Sequence, residues 1–270
     1  MNVTSRDGTT IAFDVQGDGP ALILVDGATM TRRGESKLEL VALLAPHFTV
    51  YSYDRRGRGD SGDTLPFSLE CEIDDLDALI EQAGGRAYLH GQSSGACLAL
   101  EAARVLGADK VVGVSSYEAP WNDDPAAQEA WREYRRELAE ALANDRRDDA
   151  VALFMQIAGT PPQQVAAMRE TPFWPSLEAV APTLAYDAEA VGPTSAVPVG
   201  KLAELTAPVL AACGSSSPRF MCDTASTISR AVQDGRLRTL EGQTHAAQPA
   251  ALAPVLVEFF AAHAKGSRAA

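Results

Sequence analysis

Gly91-Gln92-Ser93-Ser94-Gly95 sets a serine between two glycines in the spacing G-x-S-x-G. A serine so flanked can occupy a strained turn from strand to helix, where only small neighbours fit and the hydroxyl projects into open space. The hydroxyl becomes a nucleophile when a base takes its proton, so the chemistry also needs a histidine. Of the four histidines, His245 is the best placed. It closes Glu241-Gly242-Gln243-Thr244-His245, after a short strand expected over Arg236 to Leu240, in a loop that can carry the ring over Ser93. His90 falls inside the strand that leads to Ser93 and reads as a satisfied core histidine, while His47 and His263 are expected at the surface.

The acid that would orient the histidine has two candidates. The strand expected over Pro208 to Cys213 runs into Gly214-Ser215-Ser216-Ser217, and the nearest carboxylate beyond it, Asp223, is explained by N-terminal helix capping. Glu118 stands directly after the strand Val111 to Ser116, which opens on the same edge of the sheet as Ser93. Glu118 is therefore preferred. A serine, a histidine and a carboxylate in these roles perform acyl transfer.

The elements that must position these groups alternate between short apolar runs and helical patterns, which predicts a mainly parallel sheet covered by helices on both faces. Ala21 to Val25 and Phe48 to Tyr53 are buried-strand patterns. An antiparallel hairpin is expected at the start, with Thr4-Ser5 and Thr9 to Val15 flanking the turn signal Asp7-Gly8. Leu69, Ile73, Leu76 and Ile80 share a helix face that stops at Gly84-Gly85, and Ala96 to Leu106 is an apolar helix. The arginines of Asp54-Arg55-Arg56-Gly57-Arg58-Gly59-Asp60-Ser61-Gly62 are expected in a surface turn, solvated or paired with local carboxylates.

From Pro120 to Ala207 the chain is far longer than one crossover needs. This predicts a core of residues 1–121 and 207–270 and a helical cap over 122–206. Asp124-Pro125 should start its first helix, with Trp131, Tyr134, Leu138 and Leu142 on one face. Further helices are expected through Val151 to Ile157, after Pro161-Pro162 and after Pro175. Phe154, Met155, Phe173 and Trp174 are the candidates to line a substrate pocket, although packing inside the lobe explains any one of them as well. The alanine-rich tail after His263 is expected to fray.

With 36 acidic against 23 basic residues the formal charge is −13, which opposes binding to nucleic acid or an anionic membrane surface. Cys71, Cys97, Cys213 and Cys222 form no C-x-x-C pair and read as reduced. No secretory signal pattern and no membrane-length apolar run occurs, so a cytoplasmic location is expected. No His-rich metal motif or phosphate loop is present, and neither metal nor cofactor is expected. The oligomeric state stays open, a homodimer among the options.

Val25-Asp26-Gly27, the arginine-rich turn, Gly91 to Ala96, Glu118-Ala119-Pro120 and Gly242-Gln243-Thr244-His245 together resemble the α/β-hydrolase superfamily. Within it these short motifs are similar to the fungal zearalenone lactonases, which share the Asp-Gly, the Ser-Ser-Gly-Ala elbow and a Glu-x-Pro acid. The resemblance implies an α/β-hydrolase fold with an inserted cap, Ser93 as nucleophile, His245 as base and Glu118 as acid. It also implies an oxyanion hole at the backbone N–H of Ser94 and of the Gly27-Ala28 turn. Asp26 replaces the His-Gly usual at that turn and would either meet a substrate hydroxyl or bond its own turn. The expected activity is hydrolysis of an ester or lactone of a mostly apolar small molecule. The alternatives are a biosynthetic thioesterase or cyclase of the same fold, and a non-catalytic protein that holds a small ligand.

Overall fold

The computed structural model describes residues 1–264, and the alanine-rich tail expected to fray falls outside them. Strand β3 (Ala21–Val25) sets the layering. Alternate side chains of a strand point to opposite faces. Leu22 and Leu24 join one apolar cluster and Ile23 and Val25 join another, so the strand is buried on both sides. The first cluster is filled by α1 (Glu35–Leu44) and α11 (Pro249–Ala264). The second is filled by α2 (Leu69–Gln82), α3 (Ser94–Leu106) and α10 (Arg219–Ala231).

The other strands are β1 (Asn2–Thr4), β2 (Thr10–Gln16), β4 (Thr49–Tyr53), β5 (Ala87–Gln92), β6 (Val111–Tyr117), β7 (Val209–Gly214) and β8 (Gly235–Leu240). They form one sheet in the order β1-β2-β4-β3-β5-β6-β7-β8. The sheet is parallel from β4 to β8, with β1 and β2 antiparallel at one edge as the Asp7-Gly8 turn predicts, although the first strand ends at Thr4 instead of beginning there. β3 and β5 are neighbours, but the chain leaves β3 toward β4 and β5 toward β6. The loops that follow them diverge, and the crevice between is the expected ligand position in such a sheet.

Between β6 and β7 lie α4 (Pro125–Ala143), α5 (Arg147–Ile157), α6 (Pro162–Arg169), α7 (Trp174–Val180), a 3-10 turn (Ala181–Thr183), α8 (Leu184–Val191) and α9 (Val199–Leu202). Asp124 caps α4 by accepting from the Ala126 and Ala127 N–H at 2.8 and 3.1 Å, with Pro125 in the first turn. Tyr134, Leu138, Val151, Val165, Trp174, Leu177 and Leu184 form an apolar cluster of the insert's own. The 3-10 turn, α8 and α9 were not anticipated. α8 packs on α3, behind Ser93, and buries Asp187.

Two expectations are corrected. Cys213 and Cys222 form a disulfide in place of four free thiols: the packing of α10 on β7 brings their Cα atoms within 5.2 Å, a proximity that spacing alone does not reveal. Arg55, Arg56 and Arg58 are buried rather than solvated, because carboxylates from other elements surround them. Arg56 shows the pattern: its Nε and Nη2 donate to Asp75 of α2 at 2.8 and 2.7 Å, and its Nη1 donates to Asp7 at 2.8 Å.

A buried guanidinium that loses its partner is costly, whereas an exposed pair contributes little. Asp75→Ala should therefore lower the unfolding free energy by about 3–5 kcal/mol in urea titration. Asp223→Ala, on the exposed side of α10, should change it by under about 0.5 kcal/mol. Similar values for the two variants would show that the arginine cluster is not held as described.

Candidate active site

Ser93 is the residue between β5 and α3, with φ +57 and ψ −130. A positive φ in a residue with a Cβ costs about 1–3 kcal/mol and persists only where the surroundings enforce it. They do so here through close backbone packing. A Cβ at Gly95 would stand 2.3 Å from the Val25 carbonyl, and one at Gly91 would stand 2.3 Å from the Gly95 carbonyl. The glycines of the pentapeptide are thus required by the approach of α3 to β3 and β5. Ser94 opens α3, and the first N–H groups of a helix have no acceptor within it.

The turn after β3 faces the serine. A Cβ at Gly27 would lie 2.9 Å from Ser93 Cβ and 3.6 Å from its Oγ. Among the described residues the N–H groups of Gly27 and Ala28 have no hydrogen-bond partner. Ala28 also packs against the apolar cluster of the insert, so the insert abuts this turn.

Glu118 follows β6 with φ +50 and is almost fully buried. Its Oε2 lies 2.8 Å from His245 Nδ1, and its Oε1 accepts from the Gly214 N–H at 2.7 Å. Burial pushes this carboxyl up, but the hydrogen bonds from His245 and Gly214 outweigh it and hold the group below its ordinary value. Glu118 therefore stays ionised at neutral pH and favours the tautomer with the proton on Nδ1. Nε2 is then free to accept.

The loop that carries His245 is tied at three points. Tyr117 Oη donates to the Thr244 carbonyl at 2.6 Å, and Gln92 Nε2 donates to the His245 carbonyl at 2.8 Å. Gly214 allows the third: a Cβ there would stand 2.2 Å from the Gln243 carbonyl. Gln92 and Tyr117 immediately precede Ser93 and Glu118, so the neighbours of both groups anchor the histidine loop. Asp223 is placed elsewhere, 66% exposed on α10 with Arg219 Nε 3.5 Å away. Burial lowers the pKa of His90 to about 3, with Lys37 adding to the effect, and its Nδ1 lies 3.2 Å from Ser115 Oγ. His47 is exposed, and His263 is half-buried with Nδ1 2.8 Å from the Phe259 carbonyl.

The remaining expected site residues scatter. Asp26 is buried and does not bond its own turn: its carboxylate lies against Lys37 of α1, an ion pair across the loop that follows β3. Trp174 is in the core of the insert, with Nε1 donating to Asp148 at 2.8 Å, and Phe173 is 61% exposed. Helix α7 turns these adjacent side chains in different directions. Phe154 and Met155 are half-buried against the cluster that also receives Ala28.

Sequence reasoning missed the buried charges behind the turn. Arg55 Nε and Nη2 donate to Glu72 at 2.6 and 2.7 Å, and its Nη1 donates to Asp187 at 2.6 Å and to the Asp26 carbonyl at 3.1 Å. Arg58 donates to Asp187 at 2.6 Å, to Thr183 Oγ1 at 3.0 Å and to the Gly27 carbonyl at 2.7 Å. Ser94 Oγ donates to Asp187 at 2.7 Å. The arginine-rich motif was the available signal, but Asp187 lies 132 residues from Arg55 and carries no local mark. No group of three or more His, Cys, Asp or Glu side chains suited to a metal ion occurs among the described residues. None of their helices is long and apolar enough to cross a membrane.

An alpha/beta hydrolase from Sphaerobacter thermophilus DSM 20745 is 44% identical, with a TM-score of 0.85 over 96% of this chain and 100% of that one. A thermophilic esterase from Thermogutta terrifontis, at 21% identity and a TM-score of 0.71 over 97% and 98% of the two chains, shares the fold. The uncharacterized hydrolase YraK of Bacillus subtilis (strain 168) is 35% identical over 100 residues, a match that spans only 35% of that relative's length. The family model described as the alpha/beta hydrolase family matches residues 27–255, which is most of the chain. With that match and a relative similar over its whole length, the chain belongs to the alpha/beta hydrolase family.

Proposed function

We propose that the protein is a serine hydrolase that cleaves a carboxylic ester or lactone through an acyl-enzyme on Ser93. The observation that carries this reading is the 2.8 Å hydrogen bond between Glu118 and His245, on a loop anchored by the residues next to Ser93. Ser93 Oγ attacks the substrate carbonyl carbon while its proton passes to His245 Nε2, and the carbonyl electron pair moves onto oxygen. The N–H groups of Ala28 and Ser94 receive that oxyanion, with the N-terminus of α3 adding a favourable dipole. Collapse expels the alkoxide, which takes the proton from His245. Water then repeats the sequence and releases the acid. In a lactone the alkoxide stays tethered to the acyl group.

The substrate we assign is mostly apolar. Phe154 and Met155 of α5, which pack against the cluster that Ala28 joins, would meet its body, with the insert serving as a cap. A net charge of −13 disfavours a strongly anionic substrate. Glu118 as the acid after β6 is the feature shared with the zearalenone lactonases and extends the reading to large lactones.

Ser93→Ala or His245→Ala should lower kcat on a suitable aryl ester by about 10⁴-fold or more, since the three groups act as a unit. An organophosphonate should add one adduct mass to the wild type and none to Ser93→Ala. Labelling or turnover that survives in Ser93→Ala would exclude the mechanism. A binding protein without activity would take no adduct at all. Glu118→Gln should cost about 10³–10⁴-fold by disturbing the imidazole tautomer. Asp223→Asn should change the rate by no more than about twofold. The reverse order would move the acid to Asp223. In a substrate panel, bulky uncharged esters or macrocyclic lactones should have higher kcat/KM than short acetyl esters, because remote apolar contacts help to position the carbonyl. Turnover of short acetyl esters alone would remove the lactone reading.

A further inference from the structure

Three bonds converge on the Asp187 carboxylate of α8. Oδ1 accepts from Ser94 Oγ at 2.7 Å and from Arg55 Nη1 at 2.6 Å, and Oδ2 accepts from Arg58 Nη2 at 2.6 Å. Each arginine also holds a carbonyl of the turn after β3. Arg55 Nη1 takes the Asp26 carbonyl at 3.1 Å, and Arg58 Nη1 takes the Gly27 carbonyl at 2.7 Å. In a planar trans peptide the C=O and the following N–H point in opposite directions. A carbonyl drawn back toward an arginine therefore projects the next N–H away from it. The peptides that contain the Gly27 and Ala28 N–H groups are both oriented in this way, at a turn in contact with Ser93.

We infer that Asp187 is a positioning residue for the oxyanion hole, holding the Ala28 N–H through Arg58 and the Ser94 N–H through the Ser94 hydroxyl. The inference rests on the hydrolase reading above. It makes one carboxylate from the insert the common support of the two backbone donors, which come from separate loops of the sheet. The donors must stand at the position where charge develops, and a displacement too small to unfold anything would reduce the rate. Because Thr183 also accepts from Arg58, at 3.0 Å, the seating of this end of the insert and the aim of the donors are coupled. Arg56 and Asp75 supply an internal control. Arg56, from the same motif, and Asp75 of α2 form an equally buried pair, and its bonds reach neither the turn nor the elbow.

The test uses the full chain and four proteins: wild type, Asp187→Asn, Ser94→Ala and Asp75→Asn. Asparagine keeps the volume and one acceptor. Ser94→Ala keeps the backbone N–H and leaves both arginines paired, so it stays informative should Asp187→Asn fail to fold. The readouts are kcat and KM on an aryl ester, and the affinity of an aryl trifluoromethyl ketone. Ser93 Oγ adds to the ketone carbon, its proton goes to His245, and the carbonyl electron pair becomes an oxyanion that must enter the hole.

Asp187→Asn should lower kcat by about 10²-fold, the scale of losing one oxyanion donor, with KM within about threefold and ketone affinity falling in step with kcat. Ser94→Ala should lower both by about 2–10-fold, because the Ser94 N–H keeps its place at the start of α3 and loses only the support of the hydroxyl's bond to the Asp187 carboxylate. Asp75→Asn should lose thermal stability while kcat and ketone affinity stay at the wild-type values. If the wild type turns over esters through Ser93 while folded Asp187→Asn and Ser94→Ala match it in kcat and ketone affinity, the positioning role is overturned and the hydrolase reading stands. If Asp187→Asn does not fold, wild-type values in Ser94→Ala alone overturn it. Absence of any Ser93-dependent turnover in the wild type removes both.

Discussion

The guanidinium groups of Arg55 and Arg58 bind together segments that no local interaction would keep in place: the turn after β3, helix α2 through Glu72, and α8 through Asp187. Two cations and two carboxylates make the cluster neutral. Taking such ions out of water costs several kcal/mol each, and their attraction repays this only when nearly every donor and acceptor is used. Here the arginines achieve that with bidentate contact to Glu72, bonds to Asp187 and Thr183, and the two carbonyls. Well-packed apolar side chains could stabilise a core of this size equally well. They could not direct the Asp26 and Gly27 carbonyls, and the charges have that geometric consequence for the site.

Two buried aspartates near the turn show how the number of partners decides the outcome. Burial pushes Asp187 up, but Arg58, Arg55 and the Ser94 hydroxyl outweigh it and the carboxyl lies below its ordinary value. Burial also pushes Asp26 up, and there Lys37 with more distant arginines does not overcome it. At similar depth, two guanidiniums in direct contact suffice and one ammonium does not. The charge on Asp187 is thus the secure one, and the turn is held from the arginine side of its backbone.

Strand register sets the proposed nucleophile beside the proposed acid, and that acid meets the proposed base. Gln92 of β5 is paired with Tyr117 of β6, and Tyr117 with Ala212 of β7. The residues that follow, Ser93 and Glu118, consequently leave the sheet side by side with positive φ, and the Gly214 N–H at the end of β7 reaches Glu118. Gln92 and Tyr117 spend their side-chain donors on the loop that bears His245. Backbone strain at two adjacent strand ends is supported by the sheet beneath them, which is how strained residues persist in folded proteins.

The amino-acid sequence by itself determined the strand–turn–helix elbow, because whether Gly91 and Gly95 can admit close backbone contact is a local steric matter. It likewise showed the buried strands, the cap of α4 at Asp124 and the helix stop at Gly84-Gly85, each written within a few residues of where it acts. Glu118 could be preferred to Asp223 from its place at a strand end. Tertiary structure alone decided which distant groups meet. It buried arginines that a local view leaves in solvent, by bringing Glu72 from 17 residues away and Asp187 from 132. It joined Cys213 to Cys222 through the packing of α10 on β7, turned Asp26 toward Lys37, and separated Phe173 from Trp174. The physical reason is that steric and capping preferences act over one or two turns of chain, whereas burial and charge pairing depend on what the fold places alongside, which no short stretch of sequence contains.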